Sequence, residues 1–130
     1  MKISLSYGVK LCRLAEEEVF ESEDWLEKSL LHLESVAELK EIIQQANNES
    51  GNHQRMSKIS SLVKRIESLK GLKKRATSKE SRDKLDEYHR KYMKEKRLLE
   101  IQRDAVNRDY VIILPERLVT DLKQLTIDLT

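Results

Sequence analysis

A single cysteine, Cys12, rules out an intrachain disulfide, and one proline with three glycines in 130 residues leaves few places where a helix has to stop. Only six aromatic side chains are present, one Trp, four Tyr and one Phe, which limits the core and argues against a large enclosed catalytic pocket. No apolar run exceeds Tyr110 to Leu114, far short of the roughly twenty residues that span a bilayer, and the opening residues lack the apolar stretch of a secretory leader. A chain without a membrane partner, in a reducing cytoplasmic or nuclear compartment, is expected.

Signals for bound groups are equally sparse. Cys12, His32, His53 and His89 share no metal-ligand spacing, and Gly8, Gly51 and Gly71 form no phosphate-cradling loop, so neither a metal nor another cofactor is expected. The many carboxylates fall on helix faces that face solvent. No serine sits in a nucleophile-elbow context.

What is abundant is charge, at 37% of the residues, in the pattern of long helices. The net charge of +2 conceals an uneven distribution. Residues 1–50 hold 5 basic and 11 acidic side chains, residues 51–103 hold 17 and 7, and residues 104–130 hold 3 and 5. A basic middle lies between acidic flanks.

Along the chain, Ile3, Leu5, Tyr7, Val9 and Leu11 alternate with polar residues at the period of a strand, while Leu5, Val9 and Cys12 also suit the start of the helix that follows. Both readings stand on the residues alone. Ser22 followed by Glu23 and Asp24 marks an N-cap with acids on the first turn, predicting a helix over 23–46. Its apolar set is broader than a two-position heptad seam, which favours a bundle over an isolated coiled-coil pair. Residues 47–52, rich in Asn with one Gly, read as a loop that reverses the chain. The acidic helix would then lie antiparallel to the basic helix that follows.

Within residues 55–109, Ile59, Leu62, Ile66, Leu69 and Ala76 form one helical stripe. Thr77 and Glu80 offer a capping box that would open a second helix carrying Leu85, Tyr88, Tyr92, Leu99 and Val106. One unbroken helix is the rival reading. After it, Tyr110 to Leu114 is β-branched, Pro115 ends any upstream helix, and Leu118, Leu122, Leu125 and Leu129 fit a short terminal helix. Leu125, Ile127 and Leu129 also alternate, as a strand would. The expected fold is one mainly helical domain over 1–130: an extended antiparallel helical hairpin or a three- to four-helix bundle, with a small β element joining the chain ends as an option.

Three functional readings follow. First, Trp25, Leu26, Leu30, Leu33, Val36, Leu39 and Ile43 form two apolar rows on helix 23–46, more than one antiparallel partner covers, which points to a non-catalytic assembly or adaptor subunit binding protein partners as a homo- or hetero-oligomer. Second, Lys70, Lys73, Lys74, Arg75, Arg90, Lys91, Lys94 and Arg97 give a basic face able to bind RNA or DNA phosphates through counterion release. Third, Arg82 and His89, with six residues between them, resemble the Arg–His spacing of the helical HEPN ribonucleases. That resemblance implies that the two residues act on an RNA phosphate.

Overall fold

A computed structural model describes residues 1–123 and 125. Among them the elements follow the order β1 (Lys2–Ser4), α1 (Leu5–Glu17), α2 (Trp25–Glu49), α3 (Asn52–Lys73), α4 (Lys79–Asp109), β2 (Val111–Ile113) and α5 (Glu116–Asp121). The chain is thus mainly helical, with a small β element joining its two ends. It divides into two compact units, residues 1–50 with 106 onward, and residues 51–105.

In the first unit the opening is strand only over Lys2–Ser4, and the alternation that runs on to Leu11 lies on helix from Leu5. Three residues form β1, antiparallel to β2 with Ile3 opposite Ile112, and both of these side chains are buried. Backbone bonds from Leu114 N–H to the Met1 carbonyl (2.8 Å) and from Leu5 N–H to the Tyr110 carbonyl (2.8 Å) extend the ladder at each end. Ser4 then switches the chain to helix. Its backbone is extended while its Oγ accepts the Tyr7 N–H at 3.2 Å, so the last strand residue is also the cap of α1. Gly8 lets α1 approach the sheet closely, since a Cβ there would lie 2.7 Å from Ile112 Cδ1.

The core of this unit gathers Ile3 and Ile112 from the sheet, Leu5, Leu11 and Ala15 from α1, Val36 and Leu39 from α2, and Leu114, Leu118 and Leu122 from the C-terminal segment. Pro115 stands at the N-cap of α5, where its missing N–H costs nothing, and Leu118 and Leu122 are fully buried. Leu125 packs half-buried against the same core. The expected positions of Ile127 and Leu129 lie outside the described residues.

Two boundaries differ from expectation. Helix α2 starts after Asp24 rather than after Ser22, because the Ser22 hydroxyl donates to Asp24 Oδ1 at 2.6 Å and is spent within the turn. The loop expected over 47–52 contracts to Ser50 and Gly51, since α2 runs on to Glu49 and Gly51 takes the left-handed backbone, at φ +80°.

The second unit is an antiparallel hairpin of α3 and α4. Asn52 Nδ2 donates to the Arg103 carbonyl at 3.2 Å, the Arg65 guanidinium lies 5.7 Å from the Tyr92 ring centre, and Lys73 Nζ meets Asp86 Oδ1 at 2.7 Å. Ile59, Leu62, Ile66 and Leu69 are the buried stripe of α3, as the spacing predicts, whereas Ala76, expected to continue it, lies past the end of the helix at Lys73. Residues 55–109 are therefore two helices, broken at residues 74–78. The cap is Ser78, one residue beyond the expected Thr77: its Oγ accepts the Ser81 N–H at 3.1 Å, and its carbonyl accepts the first helical bond from Arg82. A short turn sets α4 beside α3.

Candidate functional site

The seven apolar residues singled out on α2 fall into two groups. Val36 and Leu39 are buried in the core of the first unit and Ile43 packs half-buried against it, so these three are structural and not free to bind a partner. Their face is taken by α1. Trp25, Leu26, Leu30 and Leu33 are exposed at 52%, 55%, 56% and 64%. Leu26, Leu30 and Leu33, with exposed Ala37, recur at spacings of four, three and four and so share one face turned away from the core. That face is the second of the two rows.

The α2 row has one acidic edge. Glu27, Glu34 and Glu41 follow it seven residues apart, all exposed, and among the described residues none of them forms an ion pair. Other acids of the helix are engaged: Glu38 pairs with Arg117 of α5, and Asp24 with Lys28 at 3.3 Å. Lys40 lies on the opposite edge and is held by Glu16 of α1 at 2.8 Å.

The eight cations expected to bind polyanions also separate. Lys70 pairs with Glu67 at 3.4 Å and Lys73 with Asp86, so half of the α3 cluster is neutralised locally; Lys74 and Arg75 stand exposed at the turn. On α4, Lys91 Nζ lies 5.8 Å from the Tyr88 ring centre, while Arg90, Lys94 and Arg97 stand exposed at spacings of four and three. The two clusters meet at Asp86. The hydrogen bond from Lys73 holds its carboxyl below the usual carboxylate range, and the charge of Arg90 adds to the effect. Glu80, Asp83 and Glu87 interrupt the cations at the start of α4 and line an open groove with Lys79, Lys84 and Arg90.

Arg82 and His89 lie two turns apart on α4, Arg82 exposed and His89 half-buried. Among the described residues no cluster of three or more His, Cys, Asp or Glu side chains has the arrangement of a metal site, and no helix is long and apolar enough to cross a membrane. Cys12 is buried, and its thiol is pushed up first by burial and then by the neighbouring Glu16 carboxylate, to which it donates at 3.6 Å. It therefore stays protonated and unreactive at neutral pH.

Sequence reasoning passed over three exposed apolar side chains: Leu31 at 58%, and Leu98 and Ile101 at 57% each. A signal was present in the doublets Leu30-Leu31 and Leu98-Leu99. Adjacent helix residues point about 100° apart, so two neighbouring leucines cannot both sit on a narrow buried stripe. No known protein family, curated protein or solved structure matches the chain.

Proposed function

We propose that the chain is a non-catalytic helical assembly subunit that binds a protein partner through the outer face of α2, in the cytoplasm or nucleus. The observation that carries this reading is the Leu26, Leu30 and Leu33 row, more than half exposed on a helix whose other apolar row is already covered. Contiguous exposed apolar surface on a charged helix is characteristic of an interface. A single cysteine, which cannot form an intrachain disulfide, supports a reducing compartment. The test is Leu33→Asp, which should abolish association with the partner while the far-ultraviolet circular dichroism stays that of the wild type; undiminished association would refute the reading.

A second reading, RNA or DNA binding, is favoured by one observation, the exposed face shared by Arg90, Lys94 and Arg97. It ranks below the first because the adjoining turns of the same helix carry Glu80, Asp83 and Glu87, which repel a phosphate backbone running along α4.

A further inference from the structure

We infer that the leucine face of α2 in one copy docks, in parallel orientation, on the outer face of α4 in a second copy. This rests on the assembly reading and names the partner. The α2 face asks for a helix with an apolar ridge and a cationic edge, because Glu27 and Glu34 run beside it without ion-pair partners among the described residues. Such a helix exists in the same chain. Leu98 and Ile101 stand exposed on α4, and the cations Arg90 and Arg97, seven apart like the two glutamates, run along one side.

The spacing matches position by position. Leu26, Leu30, Leu33 and Ala37 repeat at four, three and four, and so do Lys94, Leu98, Ile101 and Ala105. Aligning the two series sets Leu30 against Leu98, Leu33 against Ile101 and Ala37 against Ala105, with the aliphatic stem of Lys94 over Leu26. These are the core positions of a two-heptad seam.

Charge then selects the orientation. At about 100° per residue, the glutamate edge leads the leucine row by roughly 70° and the arginine edge trails the Leu98 and Ile101 ridge by roughly 60°. Parallel helices set the leading edge of one against the trailing edge of the other, which in this register pairs Glu27 with Arg90 and Glu34 with Arg97. Antiparallel pairing of α2 with its own copy would instead set glutamates against glutamates. The seam ends after two heptads, where Glu41 would meet Asp104, a carboxylate already held by Arg103 at 3.0 Å. Because the two faces differ, each copy carries one of each, and the contacts close as a reciprocal pair or a larger ring, or continue as an open string.

Sedimentation velocity over a wide concentration range tests this with two variants, Leu30→Asp in α2 and the double change Leu98→Asp, Ile101→Asp in α4, each first shown to be folded by circular dichroism. Wild type should grow in mass with concentration, each variant alone should be monomeric, and an equimolar mixture should form a one-to-one dimer from the two intact faces. In a second series that leaves the apolar seam intact, Glu27→Arg with Glu34→Arg should weaken association about tenfold, and Arg90→Glu with Arg97→Glu in the same chain should restore it. A wild type that is monomeric throughout, a single-face variant that still associates, or a mixture that stays monomeric overturns the inference. A monomeric wild type that nonetheless binds a different chain stoichiometrically, and loses it on Leu33→Asp, removes the second copy as partner while leaving the assembly reading in place.

Discussion

The His32 ring nitrogen Nε2 lies 2.5 Å from the carbonyl oxygen of Ala15, tying the last turn of α1 to α2. A carbonyl only accepts, so Nε2 carries a proton and donates. Phe20 closes over the ring edge-on at a centroid distance of 5.2 Å, and the Glu18 carboxylate stands 3.7 Å from the same nitrogen. His32→Ala removes the donor and leaves the Ala15 carbonyl with only its helix-end bond from Glu18 N–H at 3.3 Å. The expected loss is about 1–3 kcal/mol of stability, measured by urea unfolding, with the first unit losing structure earliest in hydrogen exchange.

Leu33 and Leu39 carry the sharpest contrast within one helix. Leu39 is fully buried in the core and Leu33 is 64% exposed. Leu39→Ala should cost about 2–5 kcal/mol through lost burial and the cavity left behind, whereas Leu33→Ala should stay within about 0.5 kcal/mol in the monomer. Thermal and denaturant unfolding of the pair at low protein concentration decides it. Equal effects would mean that the two rows of α2 are not divided between inside and outside.

That division marks how far the sequence could be read. The two rows were legible, because 3.6-residue periodicity separates Val36 and Leu39 from Leu26, Leu30 and Leu33. Which row faces inward was not, since it depends on α1, whose residues Leu11, Cys12 and Ala15 give no sign of their neighbour. The β1–β2 pairing was legible only as an option, as Ile3 and Ile112 lie more than a hundred residues apart and each strand is three residues long. The pairing of α3 with α4 follows the short turn that joins them, and contacts such as those of Asn52 with Arg103 and Lys73 with Asp86 carry no signature in the sequence.

The turn itself supplies a test of its cap. Ser78 Oγ accepts the Ser81 N–H, and Thr77 makes no corresponding bond among the described residues. Ser78→Ala should lower stability by about 0.5–2 kcal/mol, the usual cost of an N-cap, and Thr77→Ala by a few tenths at most. Circular dichroism melting curves of the two variants compare them directly, and a larger loss at Thr77 would restore the capping box expected from its spacing to Glu80.

Asp86 gives the hairpin a pH dependence of known sign. Its carboxyl is held below the usual range chiefly by the hydrogen bond from Lys73, so the folded hairpin binds that proton less readily than the unfolded chain does. The contribution is fully present above the ordinary carboxylate value near about 4, and is lost as the pH falls through the lower folded value. Carbon-detected NMR titration should find the Asp86 carboxyl below free aspartate in the wild type and returned toward it in Lys73→Met. A carboxyl that titrates identically in both would place the ion pair outside the solution structure.

The two cation clusters distinguish the assembly reading from nucleic-acid binding. Lys70 and Lys73 are already paired with Glu67 and Asp86, whereas Arg90, Lys94 and Arg97 share an exposed face. If phosphate were the natural ligand, Arg90→Glu, Lys94→Glu and Arg97→Glu together should abolish retention on single-stranded RNA and flatten its dependence on salt. Reversing Lys70, Lys73, Lys74 and Arg75 should act less on retention and more on folding, because the Lys73 to Asp86 tie between α3 and α4 is lost. Under the assembly reading, wild type should bind RNA only weakly and without sequence preference at physiological salt, since apolar helix contacts do not release counterions. Reversal of the α4 cluster should then lower self-association while leaving that weak retention nearly irrelevant to the assembled mass. Fluorescence anisotropy with a labelled oligonucleotide across a salt series, beside sedimentation of the same variants, separates the outcomes. Tight, sequence-selective binding lost by the α4 variant would replace the assembly reading with the nucleic-acid one.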